Sequence, residues 1–501
     1  MKSIFKAVAV VTIFSILTRT LGFFFRIYLS RKLGAVGLGL YQMAIGVLGI
    51  FMTLISSGIP LTTAKLVSKY QANNETAKKH KATTTALVIC LAVAVLSSLI
   101  VLILKNVWGI ILTDSRAVEI LIILTPSIIF SAIYVVFRGA LWGQGDYFSC
   151  GLTELLEQII RFILTIIMLL NITDYFVATS YSAIAFNLTC LASALITIFF
   201  YFRHNKLNFK LGEYKNILKS SSAITGVRLA NSLVQPLTSL IIPNMLIIAG
   251  YTKSEAIASF GVVMGMTFPL LFVPMSIIGS ISMVLIPTIS SLMSKNNFFA
   301  IQENISKSIN VSVFISMLFI PLFLSVGDLI GIVLFNNQIS GILLQISAVC
   351  VLPICLCNLT GSILNALNLE VKSFVNYIIG SAVLILGLVL LTPIIAINSV
   401  SVSFFISMSV ITLLNIRKIK KALPEIKLGI IKTISSYSLI ILPCSLIGHF
   451  IANICLHVFT AFFSAVIGGG ISIIFTLILC NLLNVYSFKQ LKEVVLKRKT
   501  T

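Results

Sequence analysis

Fourteen stretches of this chain are apolar over the roughly 20 residues a helix needs to cross a hydrocarbon core about 30 Å thick. They run over 4–29, 38–61, 83–104, 117–138, 151–170, 175–202, 220–248, 256–286, 308–326, 341–367, 373–391, 395–415, 430–453 and 457–484. The runs are continuously apolar and lack the period-2 alternation of barrel strands, so an all-α integral membrane protein is expected. Composition agrees: 58% of the 501 residues are hydrophobic, 10% are charged and the mean hydropathy is +1.09. A soluble domain carries about 25% charged residues, so a soluble enzyme, a secreted disulfide scaffold and a disordered chain are all excluded.

The net charge of +22 would point to nucleic acid in a soluble protein. Here the basic residues sit in short clusters between apolar runs, which reads as topology, and no nucleic-acid partner is expected. With the N-terminus in the cytoplasm, 27 of the 36 Lys and Arg fall in inside segments and 5 (Arg31, Lys32, Lys105, Arg116, Lys253) in outside ones. That asymmetry supports an even number of spans with both termini cytoplasmic. Lys2 and Lys6 precede an apolar run, but no A-x-A-like cleavage site follows, so a retained first span is expected rather than a signal peptide. The nine cysteines lie mostly in apolar runs and lack metal or redox spacing, so neither disulfides, metal nor cofactor is expected.

An internal echo suggests duplication. Gly58-Ile59-Pro60 followed by Leu66-Val67-Ser68-Lys69 resembles Leu285-Ile286-Pro287 followed by Leu292-Met293-Ser294-Lys295, and Pro126 and Pro353 occupy matching places in spans 4 and 10. Both echoes are six spans apart, as in a parallel repeat. Two six-helix lobes around a central cavity are expected, the N-lobe over 1–215 and the C-lobe over 216–418, with spans 13 and 14 and a basic cytoplasmic tail over 419–501. Mid-span prolines at 60, 126, 236, 243, 269, 274 and 353 should kink the helices around that cavity.

Each ionisable group inside a span costs about 2.5–3.5 kcal/mol on the insertion scale and needs a reason. Arg19 and Arg26 stand two turns apart on span 1 and share a face, Arg228 lies on span 7, and Arg138 ends span 4. Arg19 and Arg228 lack a local carboxylate, which favours contact with an anion across the cavity; Arg26 and Arg138 are open to that role or to snorkelling. On span 5, Glu157 and Arg161 have the i, i+4 order of an ion pair, and with Glu154 they form either a structural cluster or a contact to substrate or coupling ion. No histidine stands at triad or metal spacing and no G-x-x-x-x-G-K-[ST] loop is present, so no catalytic residue is assigned. Gly34, Gly37 and Gly39 are read as a turn and close helix packing.

Several motifs are familiar. Thr18-Arg19-Thr20-Leu21-Gly22-Phe23 and Leu33-Gly34-Ala35-Val36-Gly37-Leu38-Gly39-Leu40-Tyr41-Gln42 resemble the opening of the multidrug/oligosaccharidyl-lipid/polysaccharide (MOP) exporter superfamily. More narrowly they resemble the stage V sporulation protein B and polysaccharide biosynthesis (oligosaccharide flippase) branch, relatives of the lipid II flippase. The likeness continues through Ser57-Gly58-Ile59-Pro60, Phe137-Arg138-Gly139-Ala140, Glu157-Gln158-Ile159-Ile160-Arg161, Ile242-Pro243 and Leu285-Ile286-Pro287-Thr288. It implies a flippase in the cytoplasmic membrane that moves a polyprenyl-pyrophosphate-linked glycan, a peptidoglycan or spore-cortex precursor, by alternating access. The partners it implies are the lipid-linked oligosaccharide, membrane lipids and cell-wall synthesis enzymes. Arginines of span 1 are functional in the lipid II flippase relatives, and Arg19 matches the first of them. The second family position falls at Phe25, one place before Arg26. Two competing readings are a cation-coupled drug antiporter of the same superfamily and a membrane glycosyltransferase or polymerase. The first needs an acidic residue facing the cavity, and spans 1, 2, 7 and 8 have none in their interiors. The second needs acidic residues in sizeable outer loops, whereas Asp114, Glu119, Asp174, Glu255 and Asp328 are expected in short ones.

Overall fold

The apolar runs form helices throughout the computed structural model, which describes residues 2–203, 205–206, 212, 214–424 and 430–482; no strand occurs among them. The basic stretches at 207–211, 425–429 and beyond 482, which carry part of the topology count, lie outside the described residues. The chain divides into two compact units, Met1–Gly261 and Val262–Thr501. The first contains α1 (Lys2–Ser56), α2 (Gly58–Ala72), α3 (Thr76–Ile103), α4 (Lys105–Ile111), α5 (Ser115–Leu124), α6 (Pro126–Gly143), α7 (Tyr147–Leu169), α8 (Tyr175–Phe202), α9 (Tyr214–Ser232), α10 (Val234–Ile248) and α11 (Lys253–Gly261). The second opens with a π-helical turn, Val262–Thr267. It continues through α12 (Phe268–Leu271), α13 (Val273–Ser294), α14 (Phe298–Phe335), α15 (Gln338–Ser347), α16 (Val351–Ala366), α17 (Glu370–Ile395), α18 (Asn398–Ala422), α19 (Ile430–Leu456) and α20 (Ala461–Leu482).

Among the described residues, twelve helices are long and apolar enough to cross a membrane by length and composition. The apolar runs do not map onto them one to one. Val10–Ala72 holds two runs, and Lys253–Leu271 and Val273–Ser294 divide a third. The run at 151–170 lies in α7, whose Glu154, Glu157 and Arg161 lower its apolar character. The surfaces fit lipid. Only a third of the most apolar window of Thr76–Ile103 is buried, leaving Leu96, Ile100 and Ile103 exposed, an arrangement water would not tolerate. The chain is a multi-pass membrane protein.

Helix breaks follow the prolines. Proline removes the bond to the residue four back and crowds the turn before it, so a helix gives way just N-terminal to the ring. The interruptions at Ser57, Thr125, Leu233, Phe272 and the 3-10 turn Ala348–Cys350 each precede a proline: Pro60, Pro126, Pro236, Pro274 and Pro353. The π-helical turn precedes Pro269 in the same way. Pro243 stays inside an unbroken α10.

Gly34, at φ +64°, makes the turn between the two arms of α1 in a single residue. Gly39 and Gly261 then bring α1 and α11 into backbone contact: a Cβ at Gly39 would lie 2.2 Å from the carbonyl oxygen of Ile257, and one at Gly261 2.2 Å from that of Ala35. Gly39→Val must therefore force the two backbones apart. It should cost about 1–3 kcal/mol or more, read as a lower unfolding temperature and a smaller detergent-stable yield.

Three acidic residues expected in outer loops lie inside helices. Glu119 is in α5, Glu255 is in the first turn of α11, and Asp328 is in α14, which kinks at Val326 (φ −131°) but continues to Phe335. The apolar run ends at Val326, which is why the pattern stops short of the helix. Gln345 Nε2 donates to Asp328 Oδ1 at 3.3 Å.

Asp114 caps α5 through the Arg116 backbone N–H and also takes the Arg116 guanidinium at 2.7 Å. Burial pushes its carboxyl up, but the Arg116 hydrogen bonds and charge outweigh this and hold it below the ordinary carboxylate range. A depressed folded-state value means the stabilisation is full above the unfolded value and lost as pH falls through the folded one. Melting curves of Asp114→Asn should thus lose less stability than the wild type as the pH falls below about 4.

Candidate substrate cavity

All seven charged residues singled out from the sequence lie in the first unit. On α7, Glu154, Glu157 and Arg161 fall within about 60° of one another around the helix. Arg161 Nη2 donates to Glu157 Oε1 at 2.5 Å, both side chains less than one-fifth exposed, and the guanidinium stands over the Phe186 ring. Glu154 pairs across helices instead: Arg138 Nη2 of α6 donates to its Oε2 at 2.7 Å. Arg138 is held further by the Tyr134 ring at 5.9 Å, while its Nε is buried without a partner.

Arg138 and Arg228 line one cavity of about 320 Å³, together with Ser57, Pro60, Leu61 and Trp142. Its geometry is set by small residues. A Cβ at Gly139 would meet the Pro60 carbonyl oxygen at 2.6 Å, and one at Gly143 the Ala64 carbonyl oxygen at 2.5 Å, so α2 and α6 touch along their backbones. Gly58 packs on the Ser221 carbonyl, and its N–H donates to Thr225 Oγ1 at 3.1 Å, which brings α9 and Arg228 alongside. No aspartate or glutamate lines the cavity. Arg228 is exposed, and no hydrogen bond or ion pair engages it among the described residues.

Arg19 and Arg26 are not part of this lining. The first arm of α1 packs instead on α7, with Phe14 against Gly151, Gly22 against Gln158, and Phe25 and Tyr28 edge-on to Phe162. Both arginines are exposed and likewise without a partner among the described residues. At about 100° per residue, the packed side of this arm centres on Thr18, Phe25 and Leu29. Thr12, Ser15, Arg19 and Arg26 fall on one flank, and the exposed Ile13, Leu17 and Phe24 on the opposite flank. The arginines thus share a polar flank distinct from the apolar one.

The family model for polysaccharide biosynthesis proteins matches residues 4–293, more than half of the chain. The chain belongs to that family. It is 25% identical over 428 residues to stage V sporulation protein B of Bacillus subtilis (strain 168), covering 81% of this chain and 82% of the relative. Its fold matches the lipid II flippase MurJ in an inward closed conformation, with a TM-score of 0.72, 17% identity and coverage of 94% of this chain and 98% of that one. It also matches an inward-facing multidrug resistance MATE family transporter of the MOP superfamily, with a TM-score of 0.71, 14% identity and coverage of 81% and 96%. The architecture is therefore that of MOP transporters, as the motifs around Arg19 and Gly34 imply.

The sequence marks the cations of the cavity more plainly than its walls. Pro60 is expected as a kink beside the cavity and Ser57 within a family motif, but Trp142 carries no signal, and Lys65 and Lys69 read only as topology. The Gly139, Gly143 spacing beside Arg138 adds a hint, marking α6 as a helix approached closely by another backbone.

Proposed function

We propose that this protein is a flippase that moves a polyprenyl-pyrophosphate-linked glycan, a peptidoglycan or spore-cortex precursor, across the cytoplasmic membrane by alternating access. The observation that carries the reading is the presence of two guanidiniums, Arg138 and Arg228, on one cavity free of lining carboxylates. A diphosphate diester carries two negative charges, which meet the guanidinium fork of Arg228, free among the described residues, and the side of the Arg138 guanidinium that Glu154 leaves open. A polar headgroup also needs a polar path, since hydrocarbon leaves its hydrogen-bonding groups unsatisfied. Arg19 and Arg26, on the polar flank of α1, extend that path, while Glu157–Arg161 holds α7 in shape. Fourteen crossings with both termini cytoplasmic, arranged as repeats over 1–215 and 216–418 plus two final spans, fit the 27 to 5 bias in basic residues. The matched relatives support transport rather than enzymatic chemistry, being a lipid II flippase and a multidrug transporter.

Cation-coupled drug export is the second reading, favoured by the MATE-like fold. It requires a carboxylate free to exchange an ion, whereas Glu154 and Glu157 are both engaged by arginines. Proteoliposomes separate the two. The flippase reading expects leaflet exchange of a fluorescent polyprenyl-pyrophosphate disaccharide and no ion-driven export of cationic dyes; dye export without lipid exchange would reverse the assignment.

A further inference from the structure

The arginine cavity does not end at Trp142. A second cavity, about 790 Å³, continues along α2 and α6, shares Leu61, Ala64 and Trp142 with the first, and is lined by Lys65, Ser68, Lys69, Gln71, Gln144 and Tyr147. Both volumes fall in the range of ligand sites, roughly 300–1,000 Å³. Lys65 and Lys69 stand one turn apart on the same face of α2, exposed, and neither meets an acidic group among the described residues. No carboxylate lines the second cavity either. Trp142 is 41% exposed and meets Tyr147 in a T-shaped pair at 5.1 Å, so part of the indole is open in the wall. Gln71 Nε2 donates to the Gln144 carbonyl at 3.4 Å and ties the two helices together at this end.

Cations, a partly open indole and amide side chains in one groove are the chemistry that holds an acidic saccharide: the ring C–H faces pack on the indole and the charges meet the lysines. Gly139, next to Arg138, packs on Pro60, and Lys65 and Lys69 lie 5 and 9 residues further along α2, or about 8–14 Å at 1.5 Å per residue. A diphosphate is too short to reach from one end to the other. We infer that the groove binds the headgroup of the translocated lipid and selects one that carries a second anionic centre, a carboxylate about 8–14 Å from its diphosphate. This rests on the diphosphate reading of the arginine cavity and adds a substrate class to it. A purely topological role for the two lysines gives no discrimination among headgroups.

The test measures binding of three short-chain prenyl-pyrophosphate probes to the purified full-length protein: a neutral disaccharide, one bearing a uronic acid, and one bearing a peptide-borne carboxylate. The wild type should bind at least one acidic probe about tenfold more tightly than the neutral one, as a charge-assisted contact allows. Lys65→Gln/Lys69→Gln should erase that preference with the neutral affinity unchanged, and Lys65→Arg/Lys69→Arg should keep it. Whichever acidic probe is preferred shows where the carboxylate sits. Equal affinity for all three probes in the wild type, or a preference that survives the double Gln variant, overturns the groove alone. Failure of every probe to bind overturns the diphosphate reading, and the groove with it.

Discussion

Arg228→Ala should reach the membrane in normal amount and translocate lipid-linked glycan about 10- to 100-fold more slowly, the loss of one or two charge-assisted contacts worth roughly 1.5–3 kcal/mol. The variant is clean because Arg228 engages no carboxylate, so its removal leaves no buried charge behind. Arg228→Lys should recover only part of the rate, since a point charge replaces a planar fork. Arg138→Ala is different. It removes an anion contact and also strips Glu154 of its 2.7 Å partner, so yield and transport should fall together. Adding Glu154→Gln should restore the yield and leave transport low. Normal turnover by Arg228→Ala would remove that guanidinium from the path.

The second large effect lies on α7. Arg161→Met leaves Glu157, 17% exposed, without its partner inside the lobe. Breaking such a pair costs about 3–5 kcal/mol, comparable with much of the stability of a domain, so folded protein should nearly vanish from the membrane. Replacing both residues, Glu157→Gln with Arg161→Met, should recover most of the yield, because the double variant leaves no unpaired charge inside the lobe. Yield and melting temperature in mild detergent read the result. A single variant as abundant as the wild type would show that the pair does not hold the helix, and would make Glu157 a candidate for ion coupling.

Much of the fold is written in the order of apolar runs, because a bilayer forbids almost everything except helices of that length. What the pattern blurs is where a helix stops. The turn read at Gly34 takes one residue, with helix on both sides of it through 30–37 where the apolar runs leave a gap, and α14 runs past its apolar stretch to include Asp328. Some breaks that hydropathy misses are marked by prolines, since the break falls in the turn before the ring at Pro60, Pro126 and Pro353, whereas Pro243, Pro287 and Pro393 stay inside continuous helices. For the site, local spacing reveals the Glu157–Arg161 pair but is blind to Arg138–Glu154, whose partners sit on different helices. The same blindness separates Arg138 from Arg228. They line one cavity only because Gly58, Gly139 and Gly143 let α2, α6 and α9 close in, and a close approach between helices is a property of pairs of sequences rather than of one.

The central claim is that the cavity of Arg138 and Arg228 holds the diphosphate of a lipid-linked glycan. Photo-crosslinking tests it most directly, using a short-chain prenyl-pyrophosphate sugar with a diazirine beside the diphosphate and mapping the adducts by mass spectrometry. The expected adducts fall on residues 56–64 of the α1–α2 junction and 135–142 of α6, and they fade in Arg228→Ala. Adducts confined to the second unit, or undiminished in Arg228→Ala, would contradict the account.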